Sequence, residues 1–166
     1  MTLCADRLRE RVNYDPKTGA FTWRIAGPKC RVGDPVGGLD GDGYRVIGID
    51  FRLYRAHRLA WLYVHGTLPA QPLDHINGDR LDNRIENLRE ANKSQNGQNR
   101  KGPPKNNTSG FLGVSWETQT GRWKAQIVVG GQNHNLGRFE SATLAYAAYL
   151  NAKAQMHPFN TLEQHA

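Results

Sequence analysis

Leu73-Asp74-His75-Ile76-Asn77-Gly78-Asp79, then Asp82-Asn83-Arg84-Ile85-Glu86-Asn87-Leu88-Arg89, then Ser94-Gln95-Asn96, is the run on which the reading of this chain turns. Each residue has an ordinary structural use. Asn77-Gly78 suits a hairpin turn, and Asn83 and Asn92 suit helix N-caps. Taken together, a carboxylate, an imidazole and two later amides match the needs of phosphodiester hydrolysis. That chemistry needs a base to deprotonate water, a metal to hold the phosphate, and neutralisation of the charge on the leaving oxygen. Histidine, with an unperturbed pKa of about 6.5, is a suitable base near neutral pH, which assigns that role to His75. Asp74 neighbours it on a strand and faces the other way. Asn96 falls on a helix expected to begin near Asn92. One carboxylate and one amide, completed by phosphate oxygens and water, make a hard shell for magnesium, with manganese as the alternative and no zinc expected. The Asn87 amide is expected to bond backbone groups across the loop and hold the His75 strand in register.

Upstream, residues 3–12 predict a short helix, 14–19 a turn and 20–24 a strand, and 27–43 a loop rich in Gly, Pro and Asp. Residues 44–49 and 51–55 alternate as paired strands. Residues 57–65 predict a helix stopped by Gly66. Asp40-Gly41-Asp42-Gly43 reads as a turn, because Tyr44 and Arg45 stand where a calcium loop needs a ligand and a glycine. Downstream, residues 97–110 contain no apolar side chain and no acid, and form a basic linker carrying Arg100, Lys101 and Lys105. Beyond it the pattern predicts strands at 111–117, 122–129 and 132–139. A helix follows, capped by Ser141 and running to about Met156.

The chain has 166 residues, 38% of them hydrophobic, and a formal net charge of +7. That length accommodates two small modules, and the charge favours a polyanionic partner. The cysteines, Cys4 and Cys30, form no paired-ligand spacing, which argues against a zinc ribbon or a disulfide framework. No apolar run approaches a membrane span, and the N-terminus has no signal-peptide core. The expectation is a soluble cytoplasmic protein, with no membrane and no obligate protein partner. Monomer is the simpler state.

Residues 44–100, including Ala56-His57-Arg58-Leu59-Ala60-Trp61 and the positions His75, Asn87 and Asn96, resemble HNH endonucleases of the phage and homing type. The resemblance implies a ββα-metal finger: two strands with a long loop, then a helix. It makes His75 the general base, Asp74 and Asn96 the ligands of a divalent metal that stabilises the leaving 3′ oxygen, and Asn87 the residue that orients the loop. Arg58, Arg80, Arg84 and Arg89 are candidate phosphate contacts.

Residues 109–157 resemble the ethylene-response-factor (Apetala-two type) DNA-binding domain of plants. The matching residues are Ser109-Gly110-Phe111-Leu112-Gly113-Val114-Ser115-Trp116, Gly121-Arg122-Trp123-Lys124-Ala125-Gln126-Ile127, Leu136-Gly137-Arg138-Phe139 and Ala145-Tyr146-Ala147-Ala148-Tyr149. The resemblance implies a three-stranded antiparallel sheet in the major groove with a helix behind. Alternation points Lys124 and Gln126 outward, with Ser115, Asn133 and Asn135 beside them, and packs Val114, Trp116 and Trp123 inward. Leu112, Ser115, Val128 and Asn135 depart from the plant pattern, so the plant target is not carried over. The expected fold class is α+β, with four segments: an N-terminal region (1–43), the nuclease domain (44–100), a linker (101–109) and the sheet module (110–160). The expected activity is metal-dependent cutting of double-stranded DNA by nicking or double-strand cleavage. The alternative is a DNA-binding regulator with an inactive nuclease domain. The absence of an outward aromatic ladder disfavours single-strand binding.

Overall fold

The computed structural model describes residues 3–100, 102–104 and 106–159. Lys101 and Lys105 therefore lie outside the described residues. Among the described residues the fold is mixed α and β with four small antiparallel sheets, and the chain divides into two compact units, 1–92 and 93–166.

In the first unit, helix α1 (Ala5–Arg11) buries Ala5 and Leu8. It leads directly into β1 (Val12–Tyr14), which pairs with β2 (Phe21–Trp23). The turn between these strands is organised by Asp15, whose carboxylate accepts from the Lys17 amide at 2.9 Å and the Thr18 hydroxyl at 2.8 Å. Gly19 closes it at φ +72°, and a Cβ there would lie 2.6 Å from the backbone of Asn83 and Arg84, so only glycine fits. Next come β3 (Gly38–Leu39), β4 (Arg45–Ile49) and β5 (Arg52–Arg55), paired in that order. The β4–β5 hairpin turns on Asp50 and Phe51, both at positive φ, +47° and +64°. Two positive φ values are what a tight two-residue hairpin requires, and a phenylalanine pays strain to meet it.

Helix α2 (Ala56–His65) ends at Gly66 and buries Ala56, His57, Leu59, Ala60 and Leu62. Of these, Ala56, Leu59, Ala60 and Leu62 meet Leu8, Val12, Phe21, Ile47 and Ile49 in one core. The unit ends in β6 (Leu73–His75), the loop 76–87, and β7 (Leu88–Glu90), with β6 and β7 antiparallel. Leu88 joins the same core, which anchors the pair against the N-terminal elements.

The second unit opens with α3 (Lys93–Gln98). Strands β8 (Val114–Glu117), β9 (Arg122–Val129) and β10 (Gln132–Phe139) form an antiparallel sheet with β9 in the middle. Helix α4 (Ala142–Met156) covers one face and is capped by the Ser141 hydroxyl, which accepts from the Leu144 amide. The first strand is shorter than its sequence predicts. Gly113 adopts φ +68°, and a Cβ there would lie 2.1 Å from the Tyr149 ring, so this close approach breaks the extended run before Val114. The core comprises Leu112, Ile127 and Tyr149, and beside them Val114, Ala125 and Ala145. Trp123 packs on it. Trp116, expected to pack, is 49% exposed. It sits on an edge strand with its ring T-shaped against Trp123 at 5.1 Å, outside the cluster that α4 covers.

Candidate nuclease site

Strand register determines what Asp74 and His75 each meet. Asp74 lies opposite Arg89, and His75 lies opposite Leu88. Adjacent strand residues face opposite sides, so the two neighbours are sent into different surroundings. Both are buried. On its side, Asp74 Oδ2 accepts from Arg89 Nη2 at 2.9 Å and Nε at 3.1 Å. A buried carboxylate thereby has a cation directly across the ladder, which offsets much of its desolvation cost.

His75 lies in a group of rings. Its centroid is 5.1 Å from that of His57, nearly perpendicular, and 6.0 Å from that of Tyr44. Tyr44 in turn lies tilted against His57 at 5.2 Å and carries the guanidinium groups of Arg55 and Arg80 over its face. Burial holds the His75 imidazole below its usual value, against the opposing pull of its contact with Asn83 and of Asp74, Asp79 and Asp82. Burial pushes His57 down to about 3, and the electrostatic influence of neighbouring His75, Arg55 and Arg58 adds to it. Both rings are therefore neutral at physiological pH.

The loop between the strands is knotted by side-chain amides. Asn87 Oδ1 accepts from the Asn77 amide at 2.9 Å, while Nδ2 donates to Asn77 Oδ1 at 3.0 Å and to the Asp82 carbonyl at 2.8 Å. The Ile76 amide donates to the Asn87 carbonyl at 2.8 Å. Asn77 Nδ2 also donates to Asp82 Oδ2. A loop closed at both ends this way leaves the residue after His75 little freedom. Asn83, only 1% exposed, brings Oδ1 to 3.4 Å from His75 Nε2.

Arg84 is engaged by Asp82 at 2.7 Å and Glu86 at 2.8 Å, and Arg58 is partly buried at the start of α2. Asn96 lies on α3, in the second unit. Arg100 is exposed, and its carbonyl accepts from the buried Lys153 ammonium at 2.7 Å. Ser115, Asn133 and Asn135 are exposed, while Lys124 and Gln126 are half-buried. Register sets Ser115 beside Lys124, and Asn135 beside Gln126. A bulge between Asn135 and Gly137 then brings Arg138 opposite Lys124, and Arg138 is ion-paired with Glu117.

Three participants escape the sequence reading. Asn83 reads as a cap and is a contact of the histidine. Arg89 reads as a phosphate contact and is the cross-strand partner of Asp74. Tyr44 reads as a strand residue and completes the ring group. A strand register would have found Arg89, but a loop as long as 76–87 leaves register open.

No group of three His, Cys, Asp or Glu side chains suited to a metal stands together among the described residues. The candidate donors are a carboxylate, Asp74, and a neutral amide, Asn96. Each by itself is a hard oxygen donor of the kind that divalent cations such as magnesium take. No helix among the described residues is long and apolar enough to cross a membrane.

The buried imidazole and the buried carboxylate stand on one hairpin whose long loop is closed by amides, and this hairpin lies within a stretch shared with known nucleases. Residues 54–98 match the family described as HNH endonuclease. Protein 3.8 of Escherichia phage T7 is 35% identical over 86 residues, which cover 51% of this chain and 70% of that protein. The chain belongs to the HNH endonuclease family. A solved structure of DNA binding and cleavage by the HNH homing endonuclease I-HmuI is 20% identical with a TM-score of 0.44, covering 81% of this chain and 75% of that one. That likeness is too low to establish a shared overall fold.

Proposed function

We propose that this protein is a metal-dependent endonuclease that hydrolyses phosphodiester bonds in double-stranded DNA. The carrying observation is His75: buried, held neutral, and fixed on a hairpin beside a carboxylate whose charge is already balanced. His75 takes a proton from the attacking water. Asn87 keeps the loop closed so that the ring holds its position. Asp74 and Asn96 are the residues that would hold the cation. When bound, a magnesium or manganese ion supplies stabilisation of the charge that builds at the scissile phosphate and the leaving 3′ oxygen.

The outer face of the β8–β10 sheet, with Ser115, Lys124, Gln126, Asn133 and Asn135, is the proposed targeting surface. Amides suit adenine edges, and lysine suits guanine or phosphate. Arg58, Arg84, Arg100, Lys101 and Lys105 are proposed to meet the backbone. The net charge of +7 supports that role.

Supercoiled plasmid incubated with the protein and magnesium tests the reading. Open-circle or linear product that disappears in EDTA is the expected result. Intact plasmid over a range of metals and DNA sequences, with DNA binding retained, would leave the protein a DNA-binding regulator instead. Because burial lowers the His75 pKa from 6.5, the acid limb of the rate profile should fall below that value.

A further inference from the structure

We propose that Asn83 is a positioning residue that fixes the tautomer of His75, and that the N-terminal hairpin serves the site through it. The geometry sets the tautomer in three steps. First, Asn83 Nδ2 donates to the Leu81 carbonyl at 3.0 Å, and a carbonyl only accepts, so the amide has one orientation. Second, that orientation turns Oδ1 toward His75 Nε2, at 3.4 Å. Third, an amide oxygen also only accepts, so Nε2 carries the proton and Nδ1 carries the lone pair. At 3.4 Å the bond is long; it orients the ring more than it binds it. The atom that takes the proton from water is therefore Nδ1, a statement that rests on the nuclease reading of His75.

Asn83 is itself held from outside the matched family region. The Tyr14 hydroxyl, on β1, donates to the Asn83 carbonyl at 2.7 Å in a buried contact. The Ile85 amide donates to the Pro16 carbonyl at 3.3 Å. Gly19 lies so close to the backbone of Asn83 and Arg84 that no side chain fits between them. Three contacts from residues 14–19 thus converge on residues 83–85, while the family match begins at residue 54. The hairpin formed by β1 and β2 works as a buttress for the segment that orients the base.

Long-range proton–nitrogen correlation spectra of the full chain, in EDTA and at a pH where the ring is neutral, read the tautomer without any catalysis. The expected spectrum shows His75 protonated at Nε2, and Asn83→Ala converts it to a mixture of both tautomers. A wild-type ring protonated at Nδ1 overturns the proposal, as does an Asn83→Ala spectrum unchanged from wild type. In single-turnover nicking, Asn83→Ala should lose about tenfold in rate with DNA affinity unchanged, the size of effect common for residues that orient a reacting group. Should Asn83→Ala fail to fold, Tyr14→Phe decides, since it removes only the anchor. It should broaden the tautomer population and slow nicking to a lesser degree, and unchanged behaviour in both readouts counts against the buttress. An Nε2-protonated His75 in a chain that never nicks DNA would support this geometry and overturn the nuclease reading alone.

Discussion

The two units bury polar groups for opposite ends. In the first, His57, Asp74, His75, Asn83 and Asn87 are all buried and bonded or packed around one hairpin and its loop. In the second, the polar residues of the sheet stand on its outer face, and a lysine, Lys153, is buried to hold a backbone carbonyl. The first arrangement costs stability, because each buried group must be desolvated and oriented. The second exposes the polar side chains of its sheet, and the polar groups it buries among the described residues are Asn99, Lys153 and His157. The contrast teaches where each unit should respond to pH, charge and mutation.

Acid should separate them most. His57 is depressed to about 3 in the folded state, against 6.5 for an ordinary histidine. Its neutral form is what the fold accepts. The stability it permits is complete above 6.5 and is lost as pH falls from 6.5 toward 3, where the unfolded chain takes up the proton first. The loss approaches about 4 kcal/mol. Urea unfolding across that range should show the first unit weakening steeply and His57→Gln flattening the slope. Equal slopes in the two proteins would remove His57 from this account.

Arg89→Met comes next. It strips the cross-strand cation from a buried carboxylate and should cost about 3 kcal/mol. If Asp74 is a metal ligand, magnesium should restore part of that loss in the variant, and more than it stabilises wild type. Thermal unfolding with and without magnesium reads both numbers, and an equal metal effect in the two proteins argues against Asp74 as a ligand.

The second unit should answer in the other direction. Burial brings the Lys153 ammonium down from 10.5 to about 8. Below 8 both states are charged and the fold bears the desolvation cost. Between 8 and 10.5 the folded state gives up its proton first, so stability rises with pH. Lys153→Met should therefore stabilise the second unit at neutral pH by about 1 kcal/mol, the removed desolvation outweighing one lost hydrogen bond, and abolish the alkaline rise. A destabilised variant would mean that the bond to Arg100 matters more than the burial.

Legibility differed between the units for the same physical reasons. The second unit follows regular periods. Alternation along Arg122–Val129 and helical spacing from Ala142 announce a sheet and a covering helix. What escaped there were a left-handed glycine at Gly113 and a bulge after Asn135, neither of which alters the hydrophobic pattern. In the first unit the strands are short, Val12–Tyr14 and Phe21–Trp23 among them, and too brief to show a period. Their contribution, the Tyr14 contact with Asn83, joins residues far apart in sequence. His75, Asp74 and Asn87 stood out because their residue types are chemically specific. Asn83 did not, because an asparagine after an aspartate has a common use as a cap.

The central claim is that His75 is the base of a DNA-cutting site in the first unit. Single-turnover nicking of supercoiled plasmid in magnesium, by wild type and by His75→Ala, with plasmid binding measured alongside, tests it most directly. The account predicts a rate lower by about 10²–10⁴-fold with unchanged binding. A His75→Ala protein that nicks within a few-fold of wild type would contradict it.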